Sequence, residues 1–229
     1  MSELAKRLAQ VRERIAAAAK RAGRRPEDIT LVGVTKTVPV EIIQEAVAAG
    51  LRDLGENRVQ ELVAKEPLIK GVNWHMIGHL QRNKVKQVLG KISLLHSLDS
   101  LALARELEKR AEAEGKSLEV LIEVNVGGEE TKFGLPPAAV IPFIKEITNF
   151  PALKLRGLMT VAPLVDDPEK VRPVFRRMAA LKREVEALKL PGVEMRYLSM
   201  GMTNDFEVAI EEGANMVRIG TAIFGPRLL

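Results

Sequence analysis

A lone lysine, Lys36, follows a short β-branched and apolar segment at residues 30–35 and precedes a proline, Pro39. The segment has the composition of a buried strand, and Pro39 favours the start of a helix because its fixed φ suits the first turn. Lys36 therefore lies where a strand passes into a loop, on the side where α/β folds place their sites. A partly desolvated lysine there can lose its proton and attack an aldehyde to form a Schiff base. A solvated lysine at the end of a strand is the alternative.

The loops after the last two predicted strands carry hydroxyl groups and glycines. Phosphate sites in (β/α)8 barrels are frequently built from these two loops and the N-terminus of a short helix. The candidate phosphate donors are Ser199, Thr203, Gly220 and Thr221. Plain helix capping is the alternative, because Asn204 and Glu207 have the spacing of a capping box.

Arg218 falls inside the eighth predicted strand, where a buried guanidinium needs acceptors. A carboxylate such as Glu123 or Asp205 would satisfy it, and so would a ring nitrogen or a carboxylate of a ligand. His75 and His79 lie four residues apart, but the first is on a strand and the second is in the following loop. They lack the shared helix face and the glutamate of the zinc-protease motif, so no metal site is expected.

Eight predicted strands alternate with helices along the chain and position these residues. The strands are predicted at residues 30–35, 53–54, 73–77, 92–97, 118–124, 153–159, 194–199 and 215–219. This alternation predicts a closed parallel (β/α)8 barrel of the TIM type, formed by residues 1–229 as a single domain. An extra amphipathic helix at residues 2–22 precedes the first strand and is expected to pack across one end of the barrel.

The composition excludes several classes of function. The 229 residues include no cysteine, which excludes disulfides, thiolate catalysis and zinc–thiolate sites. The net charge is +5, and the basic residues lie mostly in segments with a helical pattern, as on solvated helix faces. The single Trp and the single Tyr offer little aromatic surface on which nucleic-acid bases could stack. No apolar run reaches transmembrane length. We therefore expect a cytoplasmic protein with neither nucleic acid nor membrane as a partner.

Several longer motifs together resemble the pyridoxal 5′-phosphate homeostasis proteins, whose barrel is shared with the N-terminal domain of alanine racemases. The resemblance covers nearly the whole chain. The motifs are Val34-Thr35-Lys36, Gly55-Glu56-Asn57-Arg58-Val59-Gln60-Glu61, Trp74-His75-Met76-Ile77-Gly78-His79, His96-Ser97-Leu98-Asp99, Lys132-Phe133-Gly134, Leu198-Ser199-Met200-Gly201-Met202-Thr203-Asn204-Asp205 and Val217-Arg218-Ile219-Gly220-Thr221. Two departures are Leu54, where an aromatic is common, and Thr203, where serine is common; threonine keeps the hydroxyl.

The resemblance implies that pyridoxal 5′-phosphate is the cofactor and that Lys36 carries it as an internal aldimine. Arg218 would face the pyridine nitrogen, and Asn57 and His75 would lie in the pocket near the ring. The implied phosphate ligands are Ser199, Thr203, Gly220 and Thr221. No catalytic residue and no metal ligand is implied.

The resemblance further implies a monomeric, non-catalytic binder that stores pyridoxal phosphate and supplies it inside the cell, with apo-enzymes that need the cofactor as potential partners. The alternative is an amino-acid racemase or a related enzyme, which needs one base on each face of the α-carbon. Similar racemases take a catalytic tyrosine from a second domain, and Tyr197, on the strand of Ser199, keeps this alternative open. A barrel that binds nucleic acid or a protein partner without a cofactor would explain the basic charge but not the loop residues.

Overall fold

Eight parallel strands close into a barrel in the order of the chain, which confirms the (β/α)8 prediction. The structure is a computed structural model that describes residues 2–129 and 132–226. The strands are β1 Thr30–Val34, β2 Asp53–Glu56, β3 Asn73–Met76, β4 Leu94–Leu98, β5 Leu118–Glu123, β6 Leu153–Met159, β7 Tyr197–Ser199 and β8 Met216–Ile219. Because β8 pairs with β1 in parallel, all eight carboxyl ends lie on one face of the barrel.

Helices surround the barrel and follow the strands along the chain. They are α1 Glu3–Arg21, α2 Val40–Ala48, α3 Val59–Lys65, α4 Val85–Val88, α5 Leu101–Ala113, α6 Pro137–Ile147, α7 Arg172–Ala187, α8 Phe206–Glu211 and α9 Thr221–Phe224. Short 3-10 turns at Arg82–Lys84 and Pro168–Val171 directly precede α4 and α7. In the described residues, no helix is both long and apolar enough to cross a lipid bilayer.

The first helix, α1, lies along the outside of the barrel and contacts α2, α8 and α9. Its Arg7 donates from Nε to the carbonyl of Ile223 at 2.9 Å, and its Arg14 pairs with Glu207 of α8 at 2.8 Å. The expectation that this helix packs across one end of the barrel is therefore wrong. Its apolar stripe completes the outer layer of helices, because α9 after β8 has only four residues.

The interior of the barrel contains an apolar part and a polar part. The apolar cluster consists of Val32, Leu94, Leu121, Met159 and Met216, and Tyr197 packs against it. The polar part consists of the buried side chains of His75, His96, Ser199 and Arg218. Buried polar groups require hydrogen-bond partners. The hydrogen bonds of these four side chains link the barrel interior to the loops at the carboxyl ends of the strands, as where Arg218 donates to the carbonyl of Thr160.

Candidate functional site

A cavity of about 550 Å³ opens at the carboxyl ends of the strands. Six of the eight predicted site residues line it, namely Lys36, Asn57, Thr203, Arg218, Gly220 and Thr221. They come from β8 and from the loops after β1, β2, β7 and β8, which the closure of the barrel brings together. A larger groove of about 830 Å³ runs along α5 and includes none of the predicted site residues. The chemistry of the lining therefore selects the smaller cavity.

The loop after β6 forms an apolar rim of the cavity that the sequence analysis missed. Val161, Pro163, Leu164 and Val165 all contribute to the lining, and Leu164 is 85% exposed. These residues carry no charged or hydroxyl group, so a search for reactive side chains had no reason to select them. A large exposed apolar residue at the rim of a cavity is typical of a ligand or partner contact.

The two neighbours of Lys36 are fixed by side chains of the next strand and helix. Thr35 is fully buried, and its Oγ1 donates to Glu56 Oε1 at 2.7 Å. The backbone N–H of Thr37 donates to Glu61 Oε2 at 2.7 Å. Thr37 has a φ of +61°, a left-handed conformation that is unfavourable for a β-branched residue. The hydrogen bonds on both sides hold the backbone that carries Lys36, including this strained position.

A buried ion cluster beneath this loop joins β2 to α3. Lys65 Nζ lies 2.7 Å from Glu56 Oε1 and 2.8 Å from Glu61 Oε2, and it also donates to the carbonyl of Thr35 at 2.8 Å. Burial raises the pKa of Glu56, although the hydrogen bonds from Lys65 and Thr35 oppose that shift. Burial also acts to raise the pKa of Glu61, but the hydrogen bonds from Lys65 and the Thr37 N–H, together with the charges of Lys65 and Arg58, outweigh burial and lower the pKa. Lys65 has one feature in the sequence that indicates this pairing, its position four residues after Glu61, which alone does not mark a site residue.

Arg218 is 3% exposed, and its hydrogen-bond acceptors are neutral groups. Its Nη1 donates to Ser199 Oγ at 2.6 Å, and its Nη2 donates to the carbonyl of Thr160 at 2.8 Å. Burial lowers the pKa of Arg218 to about 10, while the charges of Glu123 and Asp205 act to raise it. The guanidinium therefore stays protonated at neutral pH. The two carboxylates considered as its partners influence it through their charge, while a hydroxyl and a carbonyl accept its hydrogen bonds.

The structure places Ser199 and His75 in the barrel interior, below the cavity. Ser199 is fully buried, with its Oγ 3.0 Å from His96 Nδ1 as well as bonded to Arg218. His75 is 3% exposed, and its ring nitrogens lie 2.9 Å from His96 Nε2 and 3.1 Å from Asp53 Oδ1. Both residues lie within strands, so their inward side chains point to the barrel axis. Thr203, in the loop beyond β7, brings a hydroxyl to the wall of the cavity instead.

Two further features of the wall concern hydrogen bonding. Asn57 Oδ1 is buried and has no hydrogen-bond partner among the described residues. Such an acceptor in a cavity wall fits a ligand that brings a donor. In the loop after β7, the N–H of Met202 donates to Asp205 Oδ1 at 2.6 Å. The capping box of Asn204 and Glu207 is not formed, because α8 has Asp205 as its N-cap residue and no side-chain cap. The Glu207 carboxylate pairs with Arg14 of α1 instead.

Glu123 lies at the carboxyl end of β5 with an unusual carboxylate. Its Oε2 is buried without a hydrogen-bond partner in the described part of the chain. Burial and the negative charge of Asp99 raise the pKa of Glu123 to about 7, and the positive charge of Arg218 only partly opposes them. A carboxyl group that titrates near neutrality is common at functional sites.

Comparisons with known proteins assign a family to this architecture. The model of the family described as "Alanine racemase, N-terminal domain" matches residues 7–227. The pyridoxal phosphate homeostasis protein of Aquifex aeolicus is 49% identical over 223 residues, which are 96% of this chain and 97% of that protein. The protein of the same name from Escherichia coli K12 is 41% identical over 99% of this chain and 98% of its own length.

A solved structure agrees with the sequence relatives. PipY of Synechococcus elongatus, described with PLP bound, superposes with a TM-score of 0.85 at 32% identity. The match covers 97% of this chain and 100% of PipY. The likeness therefore includes the whole barrel together with the loops at its carboxyl end.

We expect Lys65→Met to lower the free energy of unfolding by about 3–5 kcal/mol, because it leaves the buried Glu56 carboxylate without its cation. Lys70→Met is the matched control, since the side chain of Lys70 is 74% exposed and pairs with Glu66 at 3.7 Å. The control should change stability by less than about 1 kcal/mol. Urea denaturation at pH 7 measures both values. Equal effects of the two substitutions would contradict the importance of the buried cluster.

We expect the stability of the protein relative to its Glu123→Gln variant to depend on pH. The pKa of Glu123 is raised from an ordinary 4.5 to about 7 in the folded state, so folding favours the protonated carboxyl. Relative to the variant, the free energy of unfolding of the native protein should therefore be highest below about pH 4.5. It should fall by up to about 3 kcal/mol relative to the variant as the pH rises through 7. Chemical denaturation of both proteins across this range measures the difference. A difference that does not vary with pH would contradict the raised pKa.

Proposed function

This chain belongs to the family of pyridoxal phosphate homeostasis proteins, and from that membership we propose that it binds pyridoxal 5′-phosphate at the cavity described above. The observation that carries the proposal is the presence of Lys36, Arg218 and the Gly220-Thr221 turn on the wall of one cavity. PipY, described with PLP bound, shares this barrel at 32% identity over 97% of the chain.

The residues of the wall fit this cofactor group by group. The amine of Lys36 would hold the aldehyde as a Schiff base, and Arg218 would donate to the ring nitrogen. The unpartnered Oδ1 of Asn57 would accept a hydrogen bond from a donor near the ring. The proposed phosphate donors are the hydroxyl of Thr203 and the backbone N–H groups of Gly220 and Thr221. When bound, the cofactor supplies an aldehyde that condenses with amines and a ring that can withdraw electrons.

Arg218 also favours a role in binding the cofactor over a role in catalysis. Arginine only donates hydrogen bonds, so a ring nitrogen that faces it must accept and stay unprotonated. An unprotonated ring withdraws electrons less strongly and favours proton removal from an amino acid less. Racemisation also requires a second base, but Tyr197, the one tyrosine of the sequence, packs against the apolar cluster of the barrel interior. We therefore propose a role without substantial catalysis, and the racemase hypothesis becomes an outcome to be tested.

We propose that Ser199 and His75 influence cofactor binding through Arg218 and do not contact the cofactor. The phosphate and pocket roles that the resemblance implied for them would require a path to the cavity, and the structure places both in the interior. We propose that their contribution to cofactor binding is indirect. Thr203 takes the direct role at the phosphate.

We also propose that the protein holds the cofactor for delivery to apo-enzymes, as a monomer in the cytoplasm. The word homeostasis in the names of the relatives from Aquifex aeolicus and Escherichia coli supports this role. An amine that reaches the cavity past the exposed Leu164 could exchange with Lys36 and leave with the cofactor. The apolar rim would then be the first part of the protein that an apo-enzyme meets.

The test of the proposed function is reduction of the cofactor-loaded protein with borohydride, followed by peptide mapping. We expect the label on Lys36 and a yellow protein before reduction, because the Schiff base absorbs visible light. Lys36→Ala should abolish the absorption band and leave the circular dichroism unchanged. Lys132→Ala, whose ammonium pairs with Glu129 at 2.7 Å, is the control and should keep the band. A label on Lys84 or Lys132 would refute the assignment of Lys36.

A further inference from the structure

A continuous line of hydrogen bonds crosses the barrel interior from the start of β2 to the wall of the cavity. Asp53 Oδ1 lies 3.1 Å from His75 Nε2, and His75 Nδ1 lies 2.9 Å from His96 Nε2. His96 Nδ1 lies 3.0 Å from Ser199 Oγ, which accepts from Arg218 Nη1 at 2.6 Å. The first three side chains come from β2, β3 and β4, and the last two come from β7 and β8. The line therefore spans the barrel from one side to the other.

The two ends of the line fix the direction of every hydrogen bond between them. Arg218 can only donate, and the carboxylate of Asp53 can only accept. A neutral His75 donates from Nε2 to Asp53 and therefore accepts at Nδ1 from His96 Nε2, which leaves His96 Nδ1 as an acceptor. Ser199 therefore donates its own hydrogen to His96 Nδ1 while it accepts from Arg218. A neutral His96 then carries its proton on Nε2 and donates it to His75 Nδ1. His75 in turn carries its proton on Nε2 and donates to Asp53, which closes the sequence without a conflict.

Burial and charge keep the line in this state. His96 is fully buried, and burial together with the nearby His75 and Arg218 holds its pKa well below the usual range. A neutral imidazole has one donor and one acceptor, as the line requires, whereas an imidazolium would have two donors. At the far end, burial acts to raise the pKa of Asp53, but the hydrogen bonds that it accepts from His75 and Asn73 act to lower it, and the pKa lies below its ordinary value. The end group is therefore an ionised acceptor at neutral pH.

We propose that Asp53, His75, His96 and Ser199 form a one-directional relay that positions Arg218 for its contact with the cofactor ring. The contact with the ring rests on the proposed function, while the direction of the relay is a property of the protein itself. The four are positioning residues, because they act on the cofactor only through Arg218. This explains why two of them, Ser199 and His75, lie within the cofactor-binding motifs but away from the cavity.

The relay gives the opposite end of the barrel an influence on the cofactor site. The side chain of Asp53 is 23% exposed, the largest exposure recorded among the five side chains of the line. It lines a separate cavity of about 560 Å³ between α1 and the amino ends of β1 and β2. A change at Asp53 should therefore reach Arg218 through four successive hydrogen bonds, and the ring nitrogen through the proposed contact with Arg218. A set of independently satisfied buried groups would show no such effect.

The direct test is ¹⁵N NMR of the full chain, which reports the protonated nitrogen of each histidine. The sequence has three histidines, so His79→Asn removes the two ring ¹⁵N resonances of the one histidine that does not belong to the relay. Without cofactor, we expect both His75 and His96 to be neutral and protonated at Nε2. A proton on Nδ1, or an imidazolium at neutral pH, on either residue of the native protein would overturn the relay.

Substitutions at Asp53 test the influence on the cofactor. Asp53→Ala removes the terminal acceptor and allows the line to reverse, so the protons of both His75 and His96 should move towards Nδ1. The ¹⁵N resonance of the bound cofactor ring should shift, and pyridoxal phosphate affinity should weaken roughly tenfold. Asp53→Asn should preserve all three, because its Oδ1 can still accept. Asn73→Ala is the control, since Asn73 Nδ2 donates to the same carboxylate at 3.0 Å from outside the line. An Asp53→Ala protein with native tautomers and a native ring resonance would refute the relay.

A second variant covers the case in which Asp53→Ala does not fold. Ser199→Ala cuts the line next to Arg218, so both histidines should keep their Nε2 protons while the ring resonance shifts. An unchanged ring resonance in Ser199→Ala would also overturn the positioning role. A native protein that fails to bind pyridoxal phosphate would refute the proposed function instead. In that case the tautomers, measured without cofactor, would still decide the direction of the relay.

Discussion

The burial of one permanent positive charge, the guanidinium of Arg218, sets the main constraint on this barrel. A buried cation requires acceptors, and Arg218 finds them in Ser199 Oγ and the carbonyl of Thr160. Ser199 Oγ in turn lies 3.0 Å from His96 Nδ1, which extends the polar line into the interior. Above the same guanidinium lies the cavity that we assign to the cofactor. One side chain therefore connects the packing of the barrel with the chemistry of its open end.

A second network of charges lies beneath the loop after β1, the strand next to β8. Lys65 joins Glu56 of β2 to Glu61 of α3 and also binds the carbonyl of Thr35, next to Lys36. Buried ion pairs contribute little net stability compared with apolar packing, but they specify the position of the backbone groups that they bind. Here they fix the loop that carries Lys36. The Lys65 cluster thus supports the proposed contact of Lys36 with the cofactor aldehyde. The buried hydrogen bonds of Arg218 support its proposed contact with the ring nitrogen.

The sequence was sufficient for the barrel and for the residues of the loops, because strand–helix alternation places every carboxyl end on one face. It could not separate Ser199 and His75 from the residues of the wall, since both are polar and lie close to strand ends. Only the direction of the side chain and the depth in the barrel distinguish them. The position of α1 was also beyond the sequence, because an apolar stripe shows that a helix packs but not against which surface. The apolar rim at residues 161–165 could not be predicted, because it carries no charged or hydroxyl side chain that would mark a site.

The central claim is that the protein holds pyridoxal phosphate and releases it without turning over amino acids. The most direct measurement incubates the loaded protein with L-alanine in deuterated water and follows deuterium at the α-carbon together with cofactor transfer to an apo-enzyme. We expect transfer to proceed while α-proton exchange stays far below the usual enzymatic range of about 1–10³ s⁻¹. Exchange or racemisation within that range, lost in Tyr197→Phe, would contradict the claim and establish a racemase.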